Sequence, residues 1–158
     1  MRVVRAATAA ELADARALVQ EYVASLDVSL DFQDYGDEIA RFPGAYGPPS
    51  GEVLLAYEGR DRVGVAALRR LGPSVCEMKR LYIRPGFRGR GIGRTLAVQL
   101  IRDAVVLGYS AMRLDTLASM DAALGLYRSL GFVEIPPYRY NPIAGARFLE
   151  LDLRPRPS

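Results

Sequence analysis

The sequence predicts an α+β fold with one mixed, mostly antiparallel sheet of six to seven strands and about four helices on its two faces. Apolar segments of strand length alternate with segments of helical periodicity in the order strand, two helices, three strands, helix, strand, helix and one or two strands. The turn "EGRD" joins two of these apolar segments directly, as in an antiparallel hairpin. No internal repeat or linker divides the 158 residues, so we expect a single domain over residues 1–158, with 154–158 as a loose tail.

The first half of the chain predicts one strand, two helices and a loop. "RVVRAAT" has the composition of a short strand, and "TAAE" is a capping box in which Thr8 and Glu11 each accept a hydrogen bond from the other's amide. Apolar residues at helical spacing extend that helix to about Ala24. A second short helix is expected near Asp34–Phe42, and "PGAYGPPSG" is a loop because of its prolines and glycines.

The second half predicts the remaining strands and two longer helices. The hairpin strands "VLLAYEG" and "RVGVAALRR" are followed by the strand "SVCEMKRLYI". Gly91–Leu107 is the strongest helix of the chain, and Gly108 is its stop. "SAMRLDT" is a strand, "SMDAALGLYRSL" is a helix capped by Ser119 and ended by Gly131, and "RFLELDL" is a final strand.

The composition restricts the chemistry that this chain can perform. It contains no histidine, which removes Ser-His-Asp and Cys-His schemes and argues against a zinc site, and we expect no metal. Cys76 is the only cysteine, so no internal disulfide can form, and we expect it to be a small buried hydrophobe rather than an acyl carrier. Acid–base work must fall to Glu, Asp, Lys, Tyr, Cys, a terminus or water.

Charge and hydropathy restrict the partners. The net charge of +3 is carried almost wholly by arginine, without the interleaved aromatics or basic stripe that nucleic-acid binding uses, so we expect no nucleic-acid partner. Apolar stretches such as Val63–Leu68 are too short to span a bilayer, and the first residues lack the apolar block of a secretory signal. We therefore expect a cytoplasmic protein with no membrane partner.

"LYIRPGFRGRGIGR" runs from a strand through a glycine–arginine loop into a helix. The first amides of a helix have no internal partners and favour anions, and glycines leave those amides accessible. A Walker A loop is excluded because Ile92 follows Gly91 in place of lysine, and a dinucleotide fingerprint is excluded because its last glycine is replaced by Arg94. What remains is the pattern Arg/Gln-x-x-Gly-x-Gly/Ala, filled by Arg88, Gly91 and Gly93. The alternative is a solvated basic turn before an ordinary core helix.

This segment with its continuation, "LYIRPGFRGRGIGRTLAVQLI", followed by "AALGLYRSLGF", resembles the GCN5-related N-acetyltransferase (GNAT) family. The resemblance implies the GNAT-type sheet and acetyl-CoA as cosubstrate, with its pyrophosphate on the loop amides and its pantetheine arm along the preceding strand. It also implies an amine acceptor belonging to a small molecule or a peptide. The cofactor-binding residues are then Leu81, Tyr82, Ile83, Arg88, Gly89, Arg90, Gly91, Ile92, Gly93 and Arg94.

The resemblance further implies two catalytic residues. Glu77 is the candidate base, and its alternative role is an ion pair with Lys79, Arg70 or Arg80. Strict alternation would place Glu77 with Lys79, Leu81 and Ile83 on one face of the strand, opposite Met78, Arg80 and Tyr82.

Tyr127 is the candidate acid toward the CoA sulfur, at the margin of a buried helical stripe formed by Ala123, Leu126 and Leu130. The chain departs from the family at Met120, where an asparagine is frequent. A backbone amide near Tyr82 or Ile83 is the expected oxyanion donor.

The sequence restricts the identity of the acceptor amine less than that of the cosubstrate. A cluster of carboxylates lies before and within the second helix. These carboxylates could attract a cationic amine, or they could form a solvated acidic face. They are Asp27, Asp31, Asp34, Asp37 and Glu38. Tyr138, Tyr140 and Asn141 could close the other side of an acceptor cleft. A CoA-binding sensor without turnover and a scaffold in an assembly stay open as alternatives, as does a homodimer.

Overall fold

Seven strands form one sheet in the computed structural model, which describes residues 1–26, 28–117 and 121–155 (of Phe32, only the backbone). Their bounds are β1 Arg2–Arg5, β2 Glu52–Glu58, β3 Asp61–Arg70, β4 Val75–Ile83, β5 Ala111–Thr116, β6 Val133–Ile135 and β7 Arg147–Asp152. The order across the sheet is β1-β2-β3-β4-β5-β7-β6, and neighbours are antiparallel except β4 and β5, which run parallel. The mixed, mostly antiparallel sheet predicted from the sequence is confirmed.

Four α-helices accompany the sheet within those described ranges: α1 Ala9–Ala24, α2 Tyr35–Ala40, α3 Ile92–Val106 and α4 Asp121–Ser129. The capping box is confirmed, because the amide of Glu11 donates to Thr8 Oγ1 at 3.1 Å and the amide of Thr8 donates to Glu11 Oε1 at 3.0 Å. The predicted cap Ser119 lies outside the described residues. Within the described part of the chain, no helix combines the length and the apolar character needed to cross a membrane.

The sheet separates two apolar cores. On one face, α3 and α4 pack over buried residues that include Leu96, Leu100 and Leu114. On the other face, α1 buries Leu18 and Val19 against β2 and β3, and α2 packs at the edge of this core. Each fully buried leucine stabilises the fold by about 1.5–3 kcal/mol relative to its exposed state. Both cores include side chains of β4, and the site lies along this strand.

A β-bulge interrupts β4 at its centre. Tyr82 pairs with Val65 and Lys79 pairs with Ala67, so two residues of β4, Arg80 and Leu81, oppose a single residue of β3. Arg80 adopts φ 62°, a left-handed conformation that is uncommon for a residue other than glycine.

The bulge reverses the alternation of side chains after Arg80. Leu81 and Ile83 therefore pack with Met78 against the α3–α4 core, whereas Tyr82 joins the α1 core. The predicted strict alternation was wrong: Glu77 and Lys79 do not share a face with Leu81 and Ile83.

The parallel strands β4 and β5 separate soon after they start. Ladder pairs join them only from Val75 to Glu77 on β4 and from Ala111 to Arg113 on β5, among the residues described. Beyond Glu77 the two strands diverge, and the edge of β4 from Met78 to Ile83 faces a wedge instead of a neighbouring strand. Backbone groups on such an edge need partners, which makes the wedge a natural place for a ligand.

Candidate active site

Two adjoining cavities occupy the wedge between β4 and β5. The larger, of about 530 Å³, is here called the loop cavity and is lined by Ile83, Arg88, Gly91, Gly93 and Leu126, among others. The smaller, of about 60 Å³, is called the inner cavity and is lined by Gln33, Lys79, Asp115, Thr116 and Tyr127, among others. Both cavities are also lined by four shared residues, Tyr22, Leu26, Leu81 and Ala123, so they meet beside β4.

The glycine loop ends at the start of α3. Gly89 and Gly91 have φ angles of +78° and +80°, and a Cβ atom on either would meet nothing within 4 Å. Glycine is therefore required by backbone conformation at these positions and not by lack of space. The helix makes its first backbone hydrogen bond from Thr95 to the carbonyl of Gly91 at 3.0 Å. The amides of Ile92, Gly93 and Arg94 precede it and have no partner within the helix.

Arg88, Arg90 and Arg94 of the loop are exposed, and each makes at least one contact that holds it near the loop. Arg88 Nε donates to the carbonyl of Ile83 at 2.9 Å, and its guanidinium lies 5.8 Å from the ring centroid of Tyr82. Arg94 donates to Ser129 Oγ at 2.9 Å. Together with the dipole of α3 these side chains make the loop cavity positive at one end, which suits a diphosphate.

Tyr127 lies at the junction of α4 with the inner cavity. Its side chain is only 7% exposed, and its ring packs edge-to-face against Phe132 at 5.7 Å between centroids. Burial raises the pKa of its hydroxyl above the ordinary tyrosine value, and the nearby Tyr22 and Asp115 act in the same direction. The prediction that Tyr127 sits at the margin of a buried stripe was wrong, because it is the buried residue of α4 while Leu126 is half-buried beside the loop cavity.

Glu77 is fully buried and held by cations on the side of β4 away from α3 and α4. Its carboxylate accepts from Arg69 at 2.9 Å and from the Tyr138 hydroxyl at 2.7 Å, and it forms a further ion pair with Arg139. Burial alone would raise the pKa of Glu77, but the positive charges of Lys79, Arg69 and Arg139 outweigh it and hold that pKa below its usual value.

Glu77 is not among the described residues that line either cavity of the wedge. Two of the ion-pair partners predicted for Glu77, Arg70 and Arg80, bind other groups instead, so those predictions were wrong. Arg70 donates to the carbonyl of Pro73, and Arg80 is paired with Glu38.

The inner cavity contains charged groups that the sequence did not single out as site residues. Lys79 Nζ donates to Gln33 Oε1 at 2.9 Å and lies 3.8 Å from Asp115 Oδ1. Burial lowers the pKa of Lys79 to about 8, against the opposing effect of Glu77 and Asp115. The available signal was that Lys79 is the only lysine of the chain and stands within an apolar strand.

The acidic segment lines a third cavity, which shares only Gln33 with the inner cavity among the described lining residues. Asp34, Asp37 and Glu38 line a separate cavity of about 370 Å³, where Asp37 pairs with Arg41 at 3.0 Å. Glu38 binds Arg80 with both oxygens, at 2.8 and 2.9 Å.

The other described residues that were predicted to contact the acceptor lie partly beside the wedge and partly on the surface. Asp31 is exposed in a 3₁₀ turn, and Asp27 and Met120 lie outside the described residues. Tyr138 and Asn141 attach the loop between β6 and β7 to Glu77 and Asp115, whereas Tyr140 is 77% exposed.

Comparison with known proteins agrees with this geometry. Residues 15–132 match the model of the Acetyltransferase (GNAT) family. An uncharacterised N-acetyltransferase of Schizosaccharomyces pombe is 41% identical over 145 residues, which cover 90% of this chain and 89% of that protein.

Solved structures share the fold. A GNAT-family acetyltransferase of Staphylococcus aureus superposes with a TM-score of 0.78 at 19% identity, over 97% of this chain and 99% of that one. An acetyltransferase of Salmonella typhimurium with its cofactor acetyl-CoA has a TM-score of 0.70 at 23% identity, over 100% of this chain and 96% of that one. The resemblance carried by the glycine loop and the "LYRSLGF" segment is therefore confirmed: the chain belongs to the GNAT family of N-acetyltransferases.

Proposed function

We propose that this N-acetyltransferase transfers the acetyl group of acetyl-CoA directly to a primary amine of a small molecule or a peptide. The observation that carries the proposal is the pair of adjoining cavities in the wedge. One ends at the loop amides and the other at ionisable side chains, and Tyr127 lines the second close to where they meet. Direct transfer needs both reactants in one site, and adjoining cavities can hold them in line.

The properties of Cys76 argue against a covalent acyl-enzyme route and therefore support direct transfer. It is the only thiol of the chain, it lies in the α3–α4 core with no exposed surface, and burial raises its pKa to about 12. A thiol of that kind is neither accessible nor ionised near neutral pH, so it cannot serve as an acyl carrier.

The loop cavity fits coenzyme A by the chemistry of its lining. The amides of Ile92, Gly93 and Arg94 at the positive end of α3 would hold the diphosphate, together with the side chains of Arg88 and Arg90. The open edge of β4 from Leu81 to Ile83 would hold the pantetheine arm through backbone hydrogen bonds, once Arg88 releases the Ile83 carbonyl. Acetyl-CoA supplies an activated thioester, and a backbone amide near Tyr82 or Ile83 is the proposed donor to the oxyanion that develops on it.

Tyr127 is the proposed acid. Because burial raises its pKa, its hydroxyl stays protonated at neutral pH and can donate to the sulfur as the thiolate leaves. The edge-to-face contact with Phe132 fixes the ring, so the hydroxyl keeps one direction toward the inner cavity.

Glu77 is the proposed base, but its surroundings restrict the route by which it can accept a proton. It is ionised, but three donors already occupy its oxygens, so proton removal from an amine has to pass through a water that reaches the carboxylate. The same contacts anchor the loop between β6 and β7. A structural role for Glu77 therefore uses the same atoms, and an experiment must separate the two.

The test is a panel of primary amines incubated with acetyl-CoA, with free thiol as the readout and the acetylated product identified by mass spectrometry. A blank without amine measures hydrolysis. Thiol release that depends on an amine, with a matching N-acetyl product, is the expected result. Tight binding of acetyl-CoA by calorimetry without turnover of any amine would contradict the proposal and favour a CoA-binding sensor.

A further inference from the structure

Among the residues that the structure describes, three charged side chains line the inner cavity, and one of them is fully neutralised. Arg80 donates two hydrogen bonds to Glu38, at 2.8 and 2.9 Å, which is a bidentate ion pair. Lys79 and Asp115 are the other two, and their nearest charged atoms are 3.8 Å apart. That separation exceeds hydrogen-bond length, so the two charges attract each other without a direct bond.

Both Lys79 and Asp115 retain capacity for a ligand. An ammonium group has three donors, and the hydrogen bond of Lys79 within the described chain goes to Gln33 Oε1. Asp115 Oδ2 accepts from Asn141 Nδ2 at 3.3 Å, which leaves most of its acceptor positions unused. A carboxylate could bind Lys79 while an ammonium group binds Asp115 close beside it.

The charge balance of the inner cavity favours an acceptor that carries a negative group. With Arg80 neutralised, one buried cation faces one carboxylate, and an ammonium on the acceptor would take up the Asp115 charge. Lys79 would then have only Glu77 as a nearby carboxylate, and Glu77 is already paired with Arg69 and Arg139. A buried charge with so little compensation is costly. Burial lowers the pKa of Lys79, and the nearby carboxylates of Glu77 and Asp115 oppose that effect only in part. The carboxylates of α2, which could have attracted a polyamine, line a different cavity.

We propose that the acceptor is a small amino acid, with its carboxylate bound by Lys79 and its amine directed by Asp115 toward the junction of the two cavities. This inference rests on the proposed function, since it names the substrate class of the same site. In the reaction, the amine nitrogen forms a bond to the acetyl carbon and the carbon–sulfur bond breaks. The ammonium bound by Asp115 first loses one proton to solvent, because only the neutral amine can attack. A second amine proton leaves through the base, and the thiolate takes a proton from Tyr127, which solvent then restores. The product keeps its carboxylate, so Lys79 holds both acceptor and product.

The first test does not depend on turnover, because Lys79 is the only lysine and protein labelled with ¹³C-lysine gives a single Cε resonance. Its titration is followed in the presence of coenzyme A, with the common amino acids or with their carboxamides. A bound carboxylate favours the ammonium form, so at least one amino acid should raise the pKa of Lys79 while its carboxamide does not. No amino acid shifting the titration more than its carboxamide would overturn the inference.

The second test measures kcat/KM for each amino acid and its carboxamide with wild type, Lys79→Met and Lys79→Gln. Wild type should prefer the amino acid by about ten-fold or more, and both variants should bring that ratio close to one, because only the carboxylate contact is removed. If Lys79 had only a structural role, each variant would lower kcat/KM for the amino acid and for its carboxamide alike, and the ratio of the two would stay at its wild-type value. Arg41→Met removes a cation that lines the separate cavity, and it should leave the ratio unchanged.

The outcomes separate the two proposals. If carboxamides or plain amines are acetylated as well as amino acids, the amino-acid inference fails and N-acetyl transfer stands. If no amine of either kind is acetylated, the proposed transfer fails, and the Lys79 titration alone decides whether the inner cavity binds amino acids.

Discussion

Glu77 accepts a hydrogen bond at 2.7 Å from the hydroxyl of Tyr138, which lies 61 residues further along the chain. The contact joins the first half of β4 to the loop between β6 and β7, where the Tyr138 ring also packs edge-to-face on Phe148 at 5.2 Å between centroids. One buried carboxylate thus serves as an anchor for that loop and is also the residue proposed as base. The two roles make different predictions for pH and stability.

Glu77→Gln should destabilise the protein at neutral pH by about 3 kcal/mol, because Arg69 and Arg139 lose a buried partner. The folded-state pKa of Glu77 is lowered, so its stabilisation is present above the unfolded pKa and is lost as the pH falls through the folded pKa. The difference in unfolding free energy between wild type and variant should therefore shrink toward acid pH. Urea denaturation between pH 3 and pH 8 measures it, and a difference independent of pH would show that the carboxylate is not ionised in the fold.

The same variant tests the base role through kinetics. If Glu77 accepts the amine proton, kcat should fall about 100-fold, and the acid limb of the pH–rate profile, where the Glu77 carboxylate would titrate, should change. Tyr138→Phe is the matched control, since it removes one contact to Glu77 and keeps the carboxylate. It should lower the melting temperature and keep the shape of the pH–rate profile, with at most a small upward move of its acid limb, because the Tyr138 hydrogen bond is a minor cause of the lowered Glu77 pKa. Identical profiles for wild type and Glu77→Gln would assign the base elsewhere.

Tyr127→Phe should lower kcat by about 100-fold, because only the proposed proton donor is removed. The KM for acetyl-CoA and the melting temperature should stay close to wild type, since the ring still packs on Phe132. Tyr109→Phe is the control: it also removes a hydroxyl from a buried tyrosine, but in the α3 core and outside the wedge. Tyr109→Phe should lower the melting temperature and leave kcat unchanged. Equal turnover by Tyr127→Phe and wild type would make Tyr127 a packing residue.

Gly91→Glu should abolish measurable binding of acetyl-CoA, with a Kd raised by at least about 100-fold, because it places a carboxylate where the diphosphate is proposed to bind. The left-handed backbone adds a cost of about 1–2 kcal/mol in stability. Gly59→Glu provides a matched control, since Gly59 has φ +59° in the β2–β3 turn and open space around it. Calorimetry should find normal affinity in Gly59→Glu. Equal affinities in both variants would remove the loop from the cosubstrate site.

Features determined by neighbours in sequence were the ones that the sequence could predict. The capping box of Thr8 and Glu11 closes within a single turn, and the loop at Gly89 and Gly91 depends on backbone freedom that the residue type alone supplies. The apolar hairpin of β2 and β3 is likewise a local feature.

Features determined by distant parts of the chain could not be predicted in the same way. The bulge places an arginine at φ 62°, a conformation that its residue type does not suggest, and it reverses the faces of Leu81 and Tyr82. The partners of Glu77 come from β3 and from the β6–β7 loop, so they depend on strand register and loop docking. The pairing of Lys79 with Asp115 requires β4 and β5 to be neighbours and then to diverge.

Outside the wedge, two carboxyl groups face each other between β2 and α3. Glu52 Oε2 and Asp103 Oδ2 are buried, and neither has a hydrogen-bond partner among the described residues, while Arg5 binds both side chains at 2.8 and 2.9 Å. Burial, together with the neighbouring Asp103, raises the pKa of Glu52 to about 8. A proton shared between the two carboxyl groups would satisfy both oxygens, and we predict that it is present in the folded protein.

This pair should make stability fall as the pH rises. Because the folded-state pKa of Glu52 is above its unfolded value, its contribution is complete below about pH 4.3 and is lost as the pH approaches 8. Glu52→Gln keeps a donor toward Asp103 at every pH, so the fall between pH 5 and pH 9 should be smaller in this variant than in wild type. Glu134→Gln, which removes an exposed carboxylate on β6, should follow the wild-type curve. Chemical denaturation at each pH gives the unfolding free energies. Parallel curves for wild type and Glu52→Gln would mean that Glu52 is ionised in the folded protein and that no proton is shared.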